Sequence, residues 1–378
     1  MSSGQITLAV EDLQIDELVL PGFERTIRIR DSLSGLDAII CIHNTVLGPA
    51  LGGIRIYPYT SFDDALEDAT RLAKGMTYKA VMSQTETGGG KGVIIGDPKK
   101  ITPEQLHAFA LAVQTLGGSY ICAEDMGSTT VMMEQIAKTT PYVVGLSRSG
   151  SSGDPSRFTA WGCYRGIEAV LQTLDGDRSV AGKIFAIQGL GSVGFKLAET
   201  LFWHGARLIV YDIDASKMEL AQQLFGAELS SAEEILFARC DILVPAARGA
   251  ILNEKIIPSL RCRAVAGPAN NQFLTAEDGA KLHARGILYA PDFVINAGGL
   301  INVVEELQPE GYESANARER VDALYDQLIA IFAYAKSHQI STEKAAIAMA
   351  DERLRTLVGK RVVPICLHHA QFIYHWNR

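Results

Sequence analysis

No uninterrupted apolar run in the 378-residue chain approaches the roughly 18–20 residues of a bilayer-spanning helix, so no membrane segment is expected. Cysteine is sparse and scattered: Cys41, Cys122, Cys163, Cys240, Cys262 and Cys366, with no CxxC pair. Structural zinc is thereby disfavoured, and His368-His369 lacks the HExxH spacing of a metal enzyme, so no metal is expected. Basic residues do not dominate. There are 35 Lys and Arg against 43 Asp and Glu, a net charge of −8, which argues against nucleic-acid and anionic-membrane partners. The acidic first twenty residues have no basic region leading into an apolar stretch and do not read as a secretory signal. Cys41, Cys122 and Cys240 sit in apolar, strand-like runs, so buried reduced thiols and a cytoplasmic setting are expected. No internal repeat and no low-complexity tract is present.

The content that remains is that of a globular protein, 47% hydrophobic and 21% charged, and long enough for two cores. FERTIRIRD and LDAIICIHN (23–44) read as strands. Apolar residues recur at helical spacing from Ala65 to Met76, within a helix over 62–82. A glycine-rich turn is expected next, then the strand GVIIGDP, a helix near 103–116, and the strand SYICAED ending at Asp125. The Ser/Gly/Pro-rich SRSGSSGDPSR (147–157) marks a junction. Beyond it KIFAIQ, RLIVYD, CDILVP, RAVAG and GILYAP alternate with helical patterns, which implies a parallel sheet covered on both faces. The last 65 or so residues read as helices. The expected fold is α/β in two domains: an N-terminal mixed-sheet domain over 1–148 and a Rossmann-type doubly wound domain over 149–339. A C-terminal helix near 340–378 is expected to pack back on the first.

Gly189-Leu-Gly191-Ser192-Val193-Gly194 fits GxGxxG, follows the strand KIFAIQ and opens a helical segment. A second strand ends at Asp212, 18 residues after Gly194, the spacing of an acid that binds the adenosine ribose. Gly189 allows the tight turn, Gly191 lets the backbone approach a pyrophosphate, and Gly194 lets helix and strand pack closely. The helix N-terminus supplies N–H groups and partial positive charge. Asp212, followed by Ile213 and Asp214, would repel a 2′-phosphate, so NAD is favoured over NADP. The competing reading is a structural turn that binds nothing.

Ala69, Leu72, Met76 and Lys79 fall at i, i+3, i+7 and i+10, which places Lys79 on the buried stripe. A buried ammonium seeks an anion; the alternative is a snorkelling side chain, and the helix alone decides neither. Lys91 stands among Gly88, Gly89, Gly90 and Gly92, either as a lysine brought close to another molecule or in a solvated turn. Two lysines converging on one cleft would depress each other's pKa, and a lysine so lowered can act as a general base. Asp125 ends an apolar strand, where open α/β sheets place ligands; capping of the next helix is the alternative.

The chain resembles the branched-chain and aromatic amino-acid dehydrogenases, the leucine, valine and phenylalanine dehydrogenases within the glutamate dehydrogenase superfamily. The leucine-acting members are resembled most. The likeness is carried by LGPALGGIRIYPY (47–59), RLAKGMTYKA (71–80), GGGKGVIIGDP (88–98), AEDMGS (123–128), SGDPSRFTAWGCYRG (152–166), GLGSVG, AGPANNQF (267–274) and PDFVINAGGLINV (291–303). It implies reversible NAD-dependent oxidative deamination of an apolar L-amino acid to a 2-oxo acid and ammonia, in a cleft between domains. It further implies that Lys79 binds the α-carboxylate, that Lys91 polarises the carbonyl or activates water, and that Asp125 handles protons. Gly52, Gly53, Leu51 and Met76 would shape the substrate pocket, with Val321 and Leu324 from a later helix, and the Pro155 carbonyl would face the amine. Thr159, Asn270 and Asn296 would join the fingerprint, including Ser192 and Val193, at the cofactor. A homo-oligomer is expected by the same analogy.

The chain departs from the pattern at Glu86 and Thr87 before the lysine segment, at Arg148, Asp154 and Arg157, and in the insertion-like QPEGYESANARER (308–320). These bear on preference and rate more than on reaction class. The alternatives are an aromatic or specialised biosynthetic substrate, and an inactive NAD-binding regulatory protein. Glutamate is disfavoured because a γ-carboxylate needs a cation where Leu51 and Met76 are expected.

Overall fold

A computed structural model describes residues 13–147, 150–247 and 249–376. Arg148 and Ser149 of the expected junction lie outside the described residues. The chain forms two compact units, one of 1–153, 303–314 and 353–378, the other of 154–302 and 315–352. The expected boundaries therefore shift. Residues 303–314 return to the first unit, and the helix near 340 belongs to the second up to Glu352, with the chain from Arg353 belonging to the first.

The first unit is built on a six-stranded mixed sheet, in the order β1 (Gln14–Glu17), β2 (Arg25–Asp31), β3 (Leu36–Asn44), β5 (Gly88–Ile95), β4 (Ala50–Tyr57), β6 (Tyr120–Glu124). β5 runs antiparallel to β3 and parallel to β4, and β4 runs parallel to β6. Helix α1 (Phe62–Met82) is capped by Ser61, whose side chain accepts from the Asp64 amide. Its Ala65, Ala69 and Ala73 lie on Ile39, Cys41 and Val93; alanines allow this close approach of helix and sheet. Helices α2 (Pro103–Thr115), opened by a Thr102/Gln105 capping box, and α3 (Thr130–Ile136) complete the layer.

Three expectations fail here. The glycine segment is no turn: Gly88 to Lys91 are buried residues of β5 itself. A Cβ on Gly88 would lie 1.9 Å from the Asn44 carbonyl oxygen, and one on Gly89 would lie 2.1 Å from the Thr77 nitrogen. The glycines serve close packing against β3 and α1, not a bend. The buried stripe of α1 runs Ala65, Ala69, Ala73, Thr77, Ala80, so Leu72, Met76 and Lys79 flank it half-buried. Lys79 is about a quarter of a turn from the stripe's centre at 3.6 residues per turn. Finally, the C-terminal tail forms a hairpin, β13 (Ile365–Leu367) with β14 (Phe372–Tyr374), where helix was expected. Tyr374 seats it, stacking edge-on to Tyr142 and donating to the Gly118 carbonyl at 3.2 Å.

The second unit opens with α4 (Ser156–Asp175) and carries a parallel sheet in the order β12 (Leu288–Tyr289), β11 (Ala264–Val265), β10 (Ile242–Pro245), β7 (Ile184–Gln188), β8 (Arg207–Tyr211), β9 (Glu228–Leu229). Counted from β7, this is the doubly wound order 3-2-1-4-5-6, whose switch point falls between β7 and β10. α5 (Ser192–Trp203), α6 (Ala215–Phe225), α7 (Asp278–Ala284), α8 (Asp292–Ile295) and α9 (Gly298–Val304) follow in turn. α10 (Ser314–Asp322) and α11 (Leu324–His338) are separated at Ala323, and α12 (Thr342–Thr356) follows. Gly162 and Gly166 of α4 make room for Leu324 and Leu328 of α11. Among the described residues, no helix is long and apolar enough to cross a membrane, and all six cysteines are free and buried.

Candidate active site

In the first unit, strand alternation places Leu51, Gly53 and Arg55 of β4 and Gly89, Lys91 and Val93 of β5 on the sheet face covered by α1. Lys91 is 4% exposed, and its ammonium donates to Asp125 Oδ2. Asp125 follows the carboxyl end of β6, and its backbone N–H donates to Ser128 Oγ at 2.9 Å. Capping is not its task, because Thr129 caps α3. Burial alone would raise the Asp125 carboxyl; the charges of Lys91 and Arg55 outweigh it and hold the group well below the usual carboxylate range. The charge that faces Lys91 is thus a carboxylate, which replaces the picture of two lysines acting chiefly on each other.

The two glycines expected to shape the substrate pocket have different neighbours. A Cβ on Gly53 would lie 2.6 Å from Asp125 Cβ, so this glycine makes space for the acid; one on Gly52 would lie 1.8 Å from the Gly90 carbonyl oxygen. Tyr120 OH donates to the Gly52 carbonyl at 2.7 Å and fixes that strand from beneath. Leu51 is buried, and Met76 and Lys79 are half-buried on α1. Glu86 and Thr87 also find reasons: Glu86 faces the fully buried Arg361 at 3.8 Å, and the Thr85 and Thr87 hydroxyls bond at 2.9 Å.

The second unit holds the nucleotide fingerprint. Gly189 has φ +108°, and a Cβ there would meet Ala247 Cβ at 2.6 Å. Among the described residues, a Cβ on Gly191 would meet nothing within 4 Å, so the backbone faces open space there. One on Gly194 would lie 2.1 Å from the Gly189 carbonyl oxygen. Gly191 is the N-cap of α5 and offers no side-chain cap, leaving the first-turn amides of Ser192 and Val193 to a ligand. Asp212 stands at the end of β8 and accepts from the Leu190 amide at 2.6 Å and the Asp214 amide at 2.9 Å, which fixes its carboxylate beside the loop. Open space at Gly191, uncapped amides and a fixed carboxylate suit a dinucleotide.

Asn296 Nδ2 donates to Asn270 Oδ1 at 2.7 Å and to the Pro268 carbonyl at 3.1 Å, while its own Oδ1 is buried without a partner among the described residues. Thr159 Oγ1 donates to the Pro155 carbonyl at 3.2 Å, and the Thr159 amide donates to it at 3.0 Å. The Pro155 carbonyl is therefore occupied in the first turn of α4 rather than turned to a substrate amine. Val321 and Leu324 are fully buried against Gly162 of α4, so they fill the core of the second unit rather than line a pocket. Asp154 accepts the Ser156 amide at 2.9 Å and Lys196 Nζ at 3.2 Å, tying α4 to the start of α5; the Arg157 guanidinium lies over the Phe158 ring. No cluster of His, Cys, Asp and Glu that could hold a metal occurs among the described residues.

Sequence reading missed Arg55, Asp68 and Tyr59. Arg55 Nε donates to Asp125 at 3.3 Å and Nη1 to Asp68 at 2.9 Å, and Tyr59 OH donates to Asp68 at 2.6 Å. The available signal was a lone cation in the apolar strand ALGGIRIY.

Two family models match: the Glu/Leu/Phe/Val dehydrogenase dimerisation domain over residues 23–142, and Glutamate/Leucine/Phenylalanine/Valine dehydrogenase over residues 210–358. A leucine dehydrogenase of Thermoactinomyces intermedius is 46% identical over 337 residues, 89% of this chain and 92% of that protein. A phenylalanine dehydrogenase of Caldalkalibacillus thermarum is 45% identical over 339 residues, 88% of this chain and 91% of that protein. The crystal structure of an L-tryptophan dehydrogenase from Nostoc punctiforme superposes with a TM-score of 0.79 at 39% identity, covering 90% of this chain and 98% of that one. The chain belongs to the Glu/Leu/Phe/Val dehydrogenase family of oxidoreductases.

Proposed function

We propose that the protein catalyses the reversible NAD-dependent oxidative deamination of an apolar L-amino acid of the leucine, valine or isoleucine type to its 2-oxo acid and ammonia. The observation that carries this reading is the contact between the buried Lys91 inside β5 and the partly exposed Asp125 at the carboxyl end of β6. Lys79, half-buried on α1, is the group for the substrate carboxylate. Met76 on the same helix and Leu51 on β4 supply apolar surface for the side chain, with the backbone at Gly52 and Gly53 beneath. NAD, when bound, takes up the hydride from the substrate Cα. Asp125 accepts a proton from the amine, and Lys91 holds a proton for the carbonyl oxygen or takes one from the attacking water.

The fingerprint from Gly189 to Gly194, with Ser192 and Val193, is the cradle for the pyrophosphate, and Asp212 receives the ribose hydroxyls. Asn270, Asn296 and Thr159 are assigned to the nicotinamide end; the partnerless Asn296 Oδ1 supports this by offering an acceptor for a carboxamide N–H. Replacing Asp212 with alanine removes a charged acceptor worth about 1.5–3 kcal/mol. NAD affinity is expected to fall roughly ten- to a hundredfold, with the preference over NADP reduced further, as read by titrating both nucleotides. An unchanged NAD:NADP ratio would contradict the assignment.

The leucine-type reading is supported by the apolar Leu51 and Met76 and by the leucine dehydrogenases among the relatives. Similarity to a phenylalanine and a tryptophan dehydrogenase keeps an aromatic substrate as the second reading. NADH formation with a panel of L-amino acids at alkaline pH decides between them. The branched aliphatic substrates are expected to give the highest kcat/KM, and turnover of phenylalanine or tryptophan alone would favour the second. No turnover with any of them, alongside intact NAD binding, would leave an inactive nucleotide-binding protein. The dimerisation-domain match supports a homo-oligomer assembled through the first unit. Free buried thiols suit a reducing, cytoplasmic setting.

A further inference from the structure

We propose that Arg55 is the positioning residue of the reaction's proton-handling carboxylate: it fixes Asp125 in place and ionised while Lys91 turns to the substrate. The inference rests on the roles proposed above for Lys91 and Asp125.

Arg55 is the one cation of the strand ALGGIRIY, and its side chain is only 14% exposed. Its guanidinium bridges two carboxylates, with Nη1 on Asp68 Oδ2 at 2.9 Å and Nε on Asp125 Oδ2 at 3.3 Å. Asp68 is itself held, by Tyr59 OH on Oδ2 at 2.6 Å and by Arg71 Nη2 on Oδ1 at 2.7 Å. Arg55 is therefore clamped from the side of α1 and presents Nε in a set direction.

Lys91 and Arg55 converge on the same oxygen of Asp125. The two cations differ in kind. An ammonium on a four-carbon stem can swing to a substrate atom or give up its proton, whereas a guanidinium stays charged at any working pH. When Lys91 leaves Asp125 for the substrate, Arg55 is the charge that remains. The charged groups facing Asp125 are Lys91 from β5 and Arg55 from β4, while the Tyr120 phenol of β6, bonded to the Gly52 carbonyl, feels its charge. Behind Arg55 stand Asp68 and Arg71 from α1 and Tyr59 from the preceding turn. Removing a fixed positive charge beside the Asp125 carboxyl raises its proton affinity.

The test is the pH dependence of amino-acid oxidation by full-length Arg55→Gln. The ascending limb is expected to move alkaline by about one pH unit, and kcat to fall roughly tenfold or more, a fraction of what general acid–base catalysis contributes. NAD affinity should be unchanged, and Arg55→Lys should move the limb back toward the parent. A superimposable limb with kcat within about twofold overturns the proposal. If Arg55→Gln does not fold, Asp68→Asn releases the clamp and leaves both cations in place. A lowered kcat with a smaller shift of the limb supports the proposal, and no change in either overturns it. Lys91→Ala and Asp125→Asn run in the same assay separate the two levels. Parent-like turnover by either sinks the reading of the pair itself. Loss of turnover in both, with Arg55→Gln unshifted, sinks the positioning role alone.

Discussion

Lys91→Ala is expected to lower kcat by at least about a thousandfold while leaving NAD affinity within about twofold. The magnitude combines a lost general acid–base group, worth roughly 10²–10⁴, with lost stabilisation of charge on the carbonyl oxygen. The selectivity follows from where the residue sits. Lys91 belongs to the first unit, on a strand between β3 and β4, whereas the proposed dinucleotide cradle, residues 189–212, belongs to the second. Stability should suffer less than removal of a buried charge usually implies, about 3–5 kcal/mol when the partner is stranded. Asp125 keeps Arg55, and its side chain is 24% exposed, so water can share the burden. Steady-state kinetics with a saturating amino acid and a nucleotide titration check the prediction together. Equal loss of turnover and NAD binding would show that Lys91 supports the fold rather than the chemistry.

The unit that carries the GxGxxG motif was the more legible in the sequence, for a local reason. A phosphate-binding turn needs its glycines, its helix start and its acid within about 25 residues, so Gly189, Gly191, Gly194 and Asp212 announce one another. The constraints on the other half come from far along the chain. Gly88 and Gly89 read as breakers, yet what forbids a side chain there is Asn44 on β3 and Thr77 on α1. Lys79 reads as buried from periodicity, but a stripe of four alanines and Thr77, a step around the helix, packs more closely and takes the buried face. Arg55 gave only a lone cation in an apolar strand; its partners Asp68 and Asp125 stand 13 and 70 residues away. The hairpin β13–β14 has three-residue strands and a turn through Gln371 at φ +51° with no glycine to mark it. Val321 and Leu324 were placed by resemblance alone, and burial against Gly162 reassigns them.

The paired substitutions Gly191→Ala and Gly194→Ala separate what the ligand forbids from what the fold forbids. At Gly194 an added methyl would sit 2.1 Å from the Gly189 carbonyl oxygen and 3.2 Å from Ala246 Cβ. Gly189 cannot retreat, since its own position is hemmed by the Ala246 backbone and Ala247 Cβ, and its φ of +108° is already one that only glycine adopts readily. The loop must deform, so Gly194→Ala is expected to cost about 1–3 kcal/mol of stability and to weaken NAD by at least about a hundredfold. At Gly191 φ is −68°, and among the described residues no atom beyond its chain neighbours lies within 4 Å of the added methyl. Gly191→Ala should therefore fold with a Tm close to that of the parent, and any loss of NAD affinity comes from the dinucleotide meeting the methyl. A weakening of roughly tenfold or more at Gly191, about 1.4 kcal/mol, with no change in Tm, is the signature of a pyrophosphate lying against that backbone. Parent-like NAD affinity in Gly191→Ala would mean that the open space above the first turn of α5 holds no ligand, and the cradle would have to be sought elsewhere on the second unit.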